Sequence, residues 1–195
     1  MGRQENDAGN APAVTRNLAL IRNEITEAAA GIDEQQLAVL ASQILHADRV
    51  FVAGAGRSGL VLKMAAMRLM HLGLTVHVAG ETTAPAVRSG DLLLVASGSG
   101  TTPGAVRSAE TAAAAGARVA AITTDAQSPL AEAAGAVVVI PAARKTDHGS
   151  AVSRQYSGSL FEQVLLLALE AIFQTLWDSA DRPAEELWLR HANLE

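Results

Sequence analysis

The sequence predicts an α/β protein built as a three-layer sandwich, in which helices cover both faces of a five-stranded parallel sheet. Two observations predict this fold class. Five short apolar runs without polar alternation recur after residue 49, which is typical of strands buried on both faces. Segments with helical composition separate these runs, and repeated strand–helix order is the pattern of a parallel sheet. The 195 residues suffice for one such domain with its own core.

The chain before the sheet is expected to form a tail and a helical extension. Residues 1–13 are polar and lack an apolar stretch, so we interpret them as a disordered tail rather than a signal peptide. A single domain then spans 14–195. Apolar residues recur at helical spacing within 14–30, at Leu18, Ile21 and Ile25. Because this first helix precedes the sheet and has few partners within the domain, we expect it to pack on another subunit.

The remaining elements follow in order along the chain. A second helix is predicted over 34–46, with Asp33 as its N-cap. The predicted strands are 50–53, 74–78, 92–96, 119–122 and 137–140. The predicted helices between and after them are 58–72, 103–115, 129–134, 159–176 and 183–189.

Composition narrows the classes of partner and compartment. The formal net charge is −5 and the chain has no basic tract, so neither nucleic acid nor an anionic membrane is expected as a partner. No apolar run reaches the roughly 18 residues of a membrane-spanning helix. The chain has no cysteine, which excludes disulfides, thiolate chemistry and cysteine-based metal sites and fits a cytoplasmic location. The histidines show no spacing typical of a metal site.

Four loops follow predicted strands and consist of glycine, hydroxyl and other short polar residues. In parallel α/β sheets, ligands bind at the carboxyl ends of the strands. The composition of these loops is the one expected where a backbone wraps an anion. They are 54–59, 80–83, 97–102 and 123–125.

The first loop, GAGRSG over 54–59, leaves three interpretations open. It matches the dinucleotide fingerprint G-x-G-x-x-G, and Glu81 ends the next strand, where an acid that binds ribose would lie. Alternatively, the glycines only permit a tight strand-to-helix turn. Arg57 and Ser58 add a cation and a hydroxyl inside the loop. Their presence favours binding of a phosphate group by Gly56, Arg57 and Ser58.

The loop SGSGTT, over 97–102, is typical of a site for a terminal phosphate. It places four hydroxyls and several backbone N–H groups at a predicted helix N-terminus, where the helix dipole favours an anion. A simple serine N-cap is the alternative, although a cap needs only one hydroxyl. The G-K-[ST] ending of a P-loop is missing. The hydroxyls are those of Ser97, Ser99, Thr101 and Thr102.

Five separated motifs in the same order resemble the sugar isomerase (SIS) domain family, and within it the 6-phospho-3-hexuloisomerase branch. The resemblance covers roughly 37–180. The chain departs at Thr101, where relatives often carry an acidic residue. The motifs are GAGRSG (54–59), AMRLMHLG (66–73), GETT (80–83), GSLFEQ (158–163) and RHANLE (190–195).

This resemblance implies a fold and a reaction. The expected strand order is the flavodoxin-like 2-1-3-4-5. The expected activity is conversion of D-arabino-hex-3-ulose 6-phosphate to fructose 6-phosphate through an enediol, the second step of formaldehyde fixation in the ribulose monophosphate pathway. The resemblance also implies a homotetramer that needs no cofactor or metal. Two other functions stay open: a non-catalytic sugar-phosphate sensor that regulates a partner, and a dinucleotide-dependent oxidoreductase.

The expected isomerisation needs a base close to two neighbouring carbons and a donor that stabilises charge on oxygen. Glu162 is the candidate base, although the sequence S-x-x-E beginning at Ser159 also matches a capping box. His71 is either a ring-opening catalyst or a histidine placed favourably at a helix C-terminus. Arg57 is expected to neutralise the phosphate or enediolate, or to pair with a carboxylate across a subunit contact.

Two residues near the C-terminal end extend this expectation. His191 and Asn193 lie in a polar segment, where solvation is the simplest interpretation. The resemblance makes a composite active site plausible, in which this segment reaches a neighbouring subunit.

Overall fold

Five parallel strands form the central sheet, in the order β2-β1-β3-β4-β5. This is the predicted order. The structure is a computed structural model that describes residues 7–143 and 153–194. Each predicted strand is present, with bounds that differ by at most two residues. The strands are β1 (Val50–Gly54), β2 (Val76–Val78), β3 (Leu92–Ala96), β4 (Arg118–Thr123) and β5 (Ala136–Val139).

Helices cover both faces of the sheet, as the alternating pattern predicts. Asp33 caps the second helix, since its side chain accepts a hydrogen bond from the Gln35 N–H. The helices are α1 (Asp7–Ala30), α2 (Glu34–Leu45), α3 (Gly56–His71), α4 (Pro103–Ala114), α5 (Pro129–Glu132), α6 (Ser159–Ala180) and α7 (Ala184–Trp188).

Alternate residues of each strand divide the core into two layers. Val52 and Leu94, which are paired in register across β1 and β3, face the larger layer with α2, α3 and α6. Their neighbours Phe51 and Leu93 face the smaller layer, where alanines of α4 pack closely. Small side chains therefore let α4 approach the sheet, in agreement with the low aromatic content.

The helix α6 lies at the centre of the larger layer and contacts α1, α2 and α3. Its 22 residues would be long and apolar enough to cross a membrane by composition alone. However, its side chains Phe161, Val164 and Leu165 are fully buried in the protein core. We therefore interpret α6 as a core helix.

The helix α1 differs from its prediction in two respects. It begins at Asp7 rather than at residue 14, so the tail predicted for 1–13 is helical from Asp7 onward, and residues 1–6 lie outside the described part. Alanines favour this longer helix, although Pro12 removes one hydrogen bond from it. The second half of α1 packs within its own subunit through buried Ala28, whereas Leu18 remains 56% exposed.

Candidate active site

A cavity of about 190 Å³ lies at the carboxyl ends of β1 and β3. It is bounded by the first residues of α3 on one side and by the 97–102 loop before α4 on the other. The positive ends of two helix dipoles therefore meet at one small polar cavity, which favours an anion. The predicted residues that line it are Gly56, Ser58, Ser97, Ser99 and Thr102.

The hydroxyls of the 97–102 loop are arranged in two pairs. Ser97 Oγ lies 2.9 Å from Thr102 Oγ1, and one donates to the other. Ser99 Oγ accepts from Thr101 N at 3.3 Å and from Thr101 Oγ1 at 3.0 Å. Thr101 is itself exposed and lies beside the cavity lining. Within 7–143 and 153–194, the backbone N–H groups of Gly98 and Ser99 have no protein acceptor, so they are available to an anion.

Neighbouring loops hold the 97–102 loop in this shape. The carbonyl of Gly98 accepts hydrogen bonds from Thr124 Oγ1 at 2.7 Å and from Thr123 Oγ1 at 3.3 Å. Gly100 has φ of +63°, and a Cβ there would clash with the Ser128 side chain. Loop 123–125, which was grouped with the candidate anion loops, thus supports the 97–102 loop through its two threonines.

The glycines of the first loop serve close packing between β1 and α3. A Cβ on Gly59 would clash with the Gly54 carbonyl, so both positions must lack a side chain for the helix to start here. Gly56, with φ of +56°, opens α3. This steric requirement explains the fingerprint G-x-G-x-x-G without a dinucleotide.

Glu162 is a buried carboxylate at the start of α6. Its side chain is only 4% exposed, and Arg57 Nε lies 2.6 Å from its Oε2 in an ion pair. No hydrogen bond of good geometry reaches Oε2 from the residues that the structure describes. A buried carboxylate oxygen that lacks an aligned donor is uncommon and points to a functional role.

The capping-box alternative for Glu162 is wrong. Gly158, with φ of +83°, is the N-cap of α6 and, as a glycine, has no side chain with which to cap it. Ser159 is therefore the first helical residue and not the cap. The side chain of Glu162 turns to Arg57 instead.

The beginning of α6 also contacts the 97–102 loop directly. A Cβ placed on Gly98 would lie 3.2 Å from the Phe161 ring. Arg57, Ser58 and Glu162 are therefore brought to the same edge of the sheet as the 97–102 loop. The role of Phe161 was not predicted, because its apolar character is equally typical of the core.

The predicted site residues His71 and Glu81 lie away from this cavity. His71 ends α3, roughly 22 Å from Gly56 at the 1.5 Å rise of an α-helix. It is 3% exposed and its ring stacks on His191 with 4.1 Å between centroids. Burial lowers the pKa of His71, and the nearby charges of His191 and Arg68 lower it further. These side chains line a separate cavity of about 320 Å³.

Glu81 occupies a third position, between α3 and β2. Its Oε1 accepts from Lys63 Nζ at 3.0 Å, and both side chains are about half exposed. Lys63 was not predicted, and its only signal in the sequence is its place on α3 one turn beyond Gly59. A cavity of about 560 Å³ lies between the 79–91 connection and α4, but its described lining lacks the hydroxyls of the 97–102 loop.

Among the described residues, histidine and carboxylate side chains that lie close together would be the candidate ligands of a metal ion. Over the described ranges, no three histidine, aspartate or glutamate side chains are close enough together to hold a metal ion. The Glu162 carboxylate pairs with the cationic side chain of Arg57.

The chain is similar in sequence to a described domain family and to named proteins. The SIS domain family model matches residues 43–167. A 3-hexulose-6-phosphate isomerase of Mycobacterium gastri is 69% identical over 182 residues, which cover 93% of this chain and 92% of that protein. Another, from Bacillus subtilis (strain 168), is 39% identical over 182 residues, which cover 93% of this chain and 98% of that protein.

A solved structure is similar over nearly the same length. It is a hypothetical protein of Methanococcus jannaschii, whose crystal structure infers a molecular function of 3-hexulose-6-phosphate isomerase. Its TM-score is 0.80 at 28% identity, covering 92% of this chain and 99% of that chain. The range that the SIS domain model matches, residues 43–167, includes both loops of the cavity and Glu162.

Proposed function

The chain belongs to the SIS domain family, and on this basis we propose that it interconverts D-arabino-hex-3-ulose 6-phosphate and fructose 6-phosphate. It is an isomerase of sugar phosphates, like the relatives to which it is similar over more than nine-tenths of its length. The conversion moves a carbonyl group between C2 and C3 and changes no oxidation state overall. A dinucleotide is therefore not required.

The phosphate of the sugar binds in the 190 Å³ cavity. The hydroxyls of Ser58, Ser97, Ser99 and Thr102 and the free N–H groups of the 97–102 loop supply donors for its oxygens. Hydrogen bonds to a charged group contribute about 1.5–3 kcal/mol each, and the two helix N-termini add to the attraction. Thr101 orients Ser99 through their shared hydrogen bond.

The observation that carries the catalytic proposal is the buried carboxylate of Glu162 beside Arg57. Starting from fructose 6-phosphate, Glu162 takes the proton from C3, and the electron pair moves to the C2 carbonyl oxygen to give an enediolate. Arg57 stabilises the developing negative charge. The protonated Glu162 then returns its proton to C2, while the C3 hydroxyl transfers its proton to the C2 oxygen, so that C3 becomes the carbonyl and C2 carries a hydroxyl.

The replacement Glu162→Gln tests this role. It keeps the shape of the side chain but removes its ability to accept a proton, so we expect turnover to fall at least about a hundredfold while binding changes little. Incubation with fructose 6-phosphate in heavy water should show exchange of the C3 proton by the unchanged enzyme and none by the variant. Asp178→Asn, on the same helix but exposed at its other end, is the matched control.

Two results would contradict the assignment. Near-normal turnover by the Glu162→Gln variant would show that the base is another group, with Glu81 and His71 as the remaining candidates. If the unchanged protein binds fructose 6-phosphate but neither isomerises it nor exchanges its proton, the chain is the non-catalytic sugar-phosphate-binding protein that the sequence leaves open.

We also propose that the active enzyme is a cytoplasmic homotetramer with composite sites, working without metal or cofactor. Support comes from the exposed apolar side chains Leu60, Met64 and Met67, which share one face of α3. His71 ends α3 far from the 190 Å³ cavity of the same chain. A role for His71 and His191 in catalysis therefore requires that they reach the 190 Å³ cavity of a neighbouring subunit. Glu81 follows β2, an edge strand of the sheet, where a contact between subunits would form.

A further inference from the structure

The segment 153–158, which leads into α6, is attached to α1 by a cluster of hydrogen bonds. Glu24 Oε2 accepts from Ser153 Oγ at 2.8 Å and from Gln155 Nε2 at 3.0 Å. Glu24 Oε1 accepts from the Arg154 N–H at 2.8 Å. One carboxylate on α1 thus receives three donors from three consecutive residues about 130 positions later in the chain.

The cluster continues into the catalytic helix. Gln155 N donates to Ser153 Oγ at 3.0 Å, which closes a tight turn. Gln155 Oε1 accepts from Gln163 Nε2 at 2.9 Å. Gln163 follows Glu162 directly, so a continuous chain of hydrogen bonds runs from α1 to the first turn of α6.

The start of α6 depends on this segment because its N-cap, Gly158, has no side chain to accept a hydrogen bond. The Glu162 N–H donates to the Gly158 carbonyl at 3.2 Å, and Gly158 is in the left-handed region. The direction of the first turn, and with it the Glu162 carboxylate, therefore follows the path of residues 153–158.

The charge of Glu24 is suited to this attachment. Burial raises the pKa of Glu24, but the hydrogen bonds from Arg154, Gln155 and Ser153 outweigh it, so the pKa is lowered overall. An ionised carboxylate accepts at both oxygens, whereas an amide accepts at only one. Three converging donors therefore select glutamate over glutamine at this position.

We propose that Glu24 is a positioning residue for the isomerisation, which holds segment 153–158 and thereby fixes the Glu162 carboxylate against the substrate carbons. This inference rests on the proposed function. Glu24 itself does not touch the substrate. The proposal gives α1 a role inside its own subunit, distinct from the assembly role expected of its exposed half.

The test is a graded series at Glu24 with a control one turn away. We expect Glu24→Ala to lower kcat between about tenfold and a hundredfold, the cost of a misplaced catalytic group, while KM changes less than about twofold because the phosphate loop is untouched. Glu24→Gln, which keeps one acceptor oxygen, should fall between Glu24→Ala and the unchanged enzyme. Glu27→Ala, exposed on the same helix, should leave both constants unchanged.

A second variant approaches the same link from its other end. Gln155→Ala removes the connection between Glu24 and Gln163 without altering α1, so it should lower kcat like Glu24→Ala. The double variant should be no worse than the poorer single variant, because both changes break one link. Additive losses, or an unchanged kcat in soluble and folded Gln155→Ala, would overturn the proposal.

Hydrogen exchange separates this inference from the proposed reaction. Peptides over 153–163 should exchange faster in Glu24→Ala than in Glu27→Ala, whether or not the protein isomerises the sugar. If the unchanged enzyme fails to turn over while this exchange difference appears, the proposed function is wrong and the attachment stands. If exchange is the same in both variants, Glu24 does not hold the segment.

Discussion

Four hydroxyl side chains are expected to decide how strongly the cavity retains a phosphate. Ser97 and Thr102 already pair with each other, and Ser58 lies on the opposite wall, in the first turn of α3. Ser99 lines the cavity and uses its oxygen as an acceptor from Thr101, so its own hydroxyl hydrogen remains free to donate to an anion.

The replacement Ser99→Ala should therefore weaken binding of fructose 6-phosphate by about 1.5–3 kcal/mol, because a hydrogen bond to a charged group is lost. Titration calorimetry measures the change directly. Ser179→Ala is a suitable control, since Ser179 is an exposed serine of α6 that donates only to Thr175 O. Equal affinities of the Ser99→Ala variant and the control would show that the loop does not bind the phosphate.

The buried His71 predicts a pH dependence of stability. Burial and the charges of His191 and Arg68 lower its pKa in the folded protein, whereas the unfolded chain titrates near the ordinary value of about 6.5. Below that value the unfolded state binds more protons than the folded state. Stability is therefore fully present above it and decreases as the pH falls.

We expect the thermal unfolding midpoint to decrease between about pH 7.5 and pH 5.5, and to decrease less in a His71→Gln variant. Circular dichroism at a series of pH values measures both. His46→Gln, at the exposed end of α2, should retain the decrease of the unchanged protein. An identical pH profile for all three proteins would mean that His71 does not contribute to it.

At the scale of elements, the loop before α4 depends on the backbone of one glycine. Gly100 has φ of +63°, and a Cβ there would clash with the Ser128 side chain, which itself caps α5. The 97–102 loop and the start of α5 are also coupled directly, because the Gly100 carbonyl accepts from the Leu130 N–H at 3.0 Å. Any side chain at position 100 must strain the backbone and displace Ser128.

The replacement Gly100→Ala should lower the free energy of unfolding by about 1–3 kcal/mol, the cost of a strained backbone conformation, and should also weaken sugar-phosphate binding. Urea unfolding and calorimetry measure the two effects. Gly104→Ala is the control, because a Cβ there meets no atom within 4 Å and alanine favours the helix. A stable Gly100→Ala variant would contradict the steric argument.

The elements that the sequence predicts best are those with one local cause. The strands are identified because β1 and β3 are apolar on both faces, and α4 because Pro103 and the alanines mark it. The start of α1 was placed too late because polar residues outweighed the helix propensity of the alanines around Pro12. The capping box failed because Gly158, at positive φ, already ends the preceding turn.

The residues that line the cavity between α3 and α4 could be predicted to the same extent. Hydroxyls and glycines that share one short loop predict a phosphate cavity from sequence alone. The attachment of Ser153 to Glu24 has no local signal, because the two residues are 129 positions apart. The separation of His71 from the cavity follows from the length of α3, because its 16 residues place Gly56 and His71 at opposite ends of the helix.

At the scale of the whole molecule, the distance between His71 and the cavity leads to a test of composite sites. If one subunit supplies Glu162 and another supplies His71, Glu162→Gln and His71→Gln inactivate different halves of the same site. Unfolding the two variants together and refolding them should restore activity that neither has alone. A mixture that forms mixed oligomers but remains inactive would show that each site belongs to one subunit.

The place of α6 at the end of the chain has a consequence for synthesis on the ribosome. The helices α1, α2 and α3 all pack on α6, so their inner faces have no permanent neighbour while the chain is still growing. At elongation rates of about 5–20 residues per second, roughly 6–26 s pass between the emergence of Glu24 and that of Ser153. During this interval the nascent polypeptide exposes apolar surface that molecular chaperones can recognise. A product that terminates before α6 thus lacks both the Glu162 carboxylate and the helix that completes its fold.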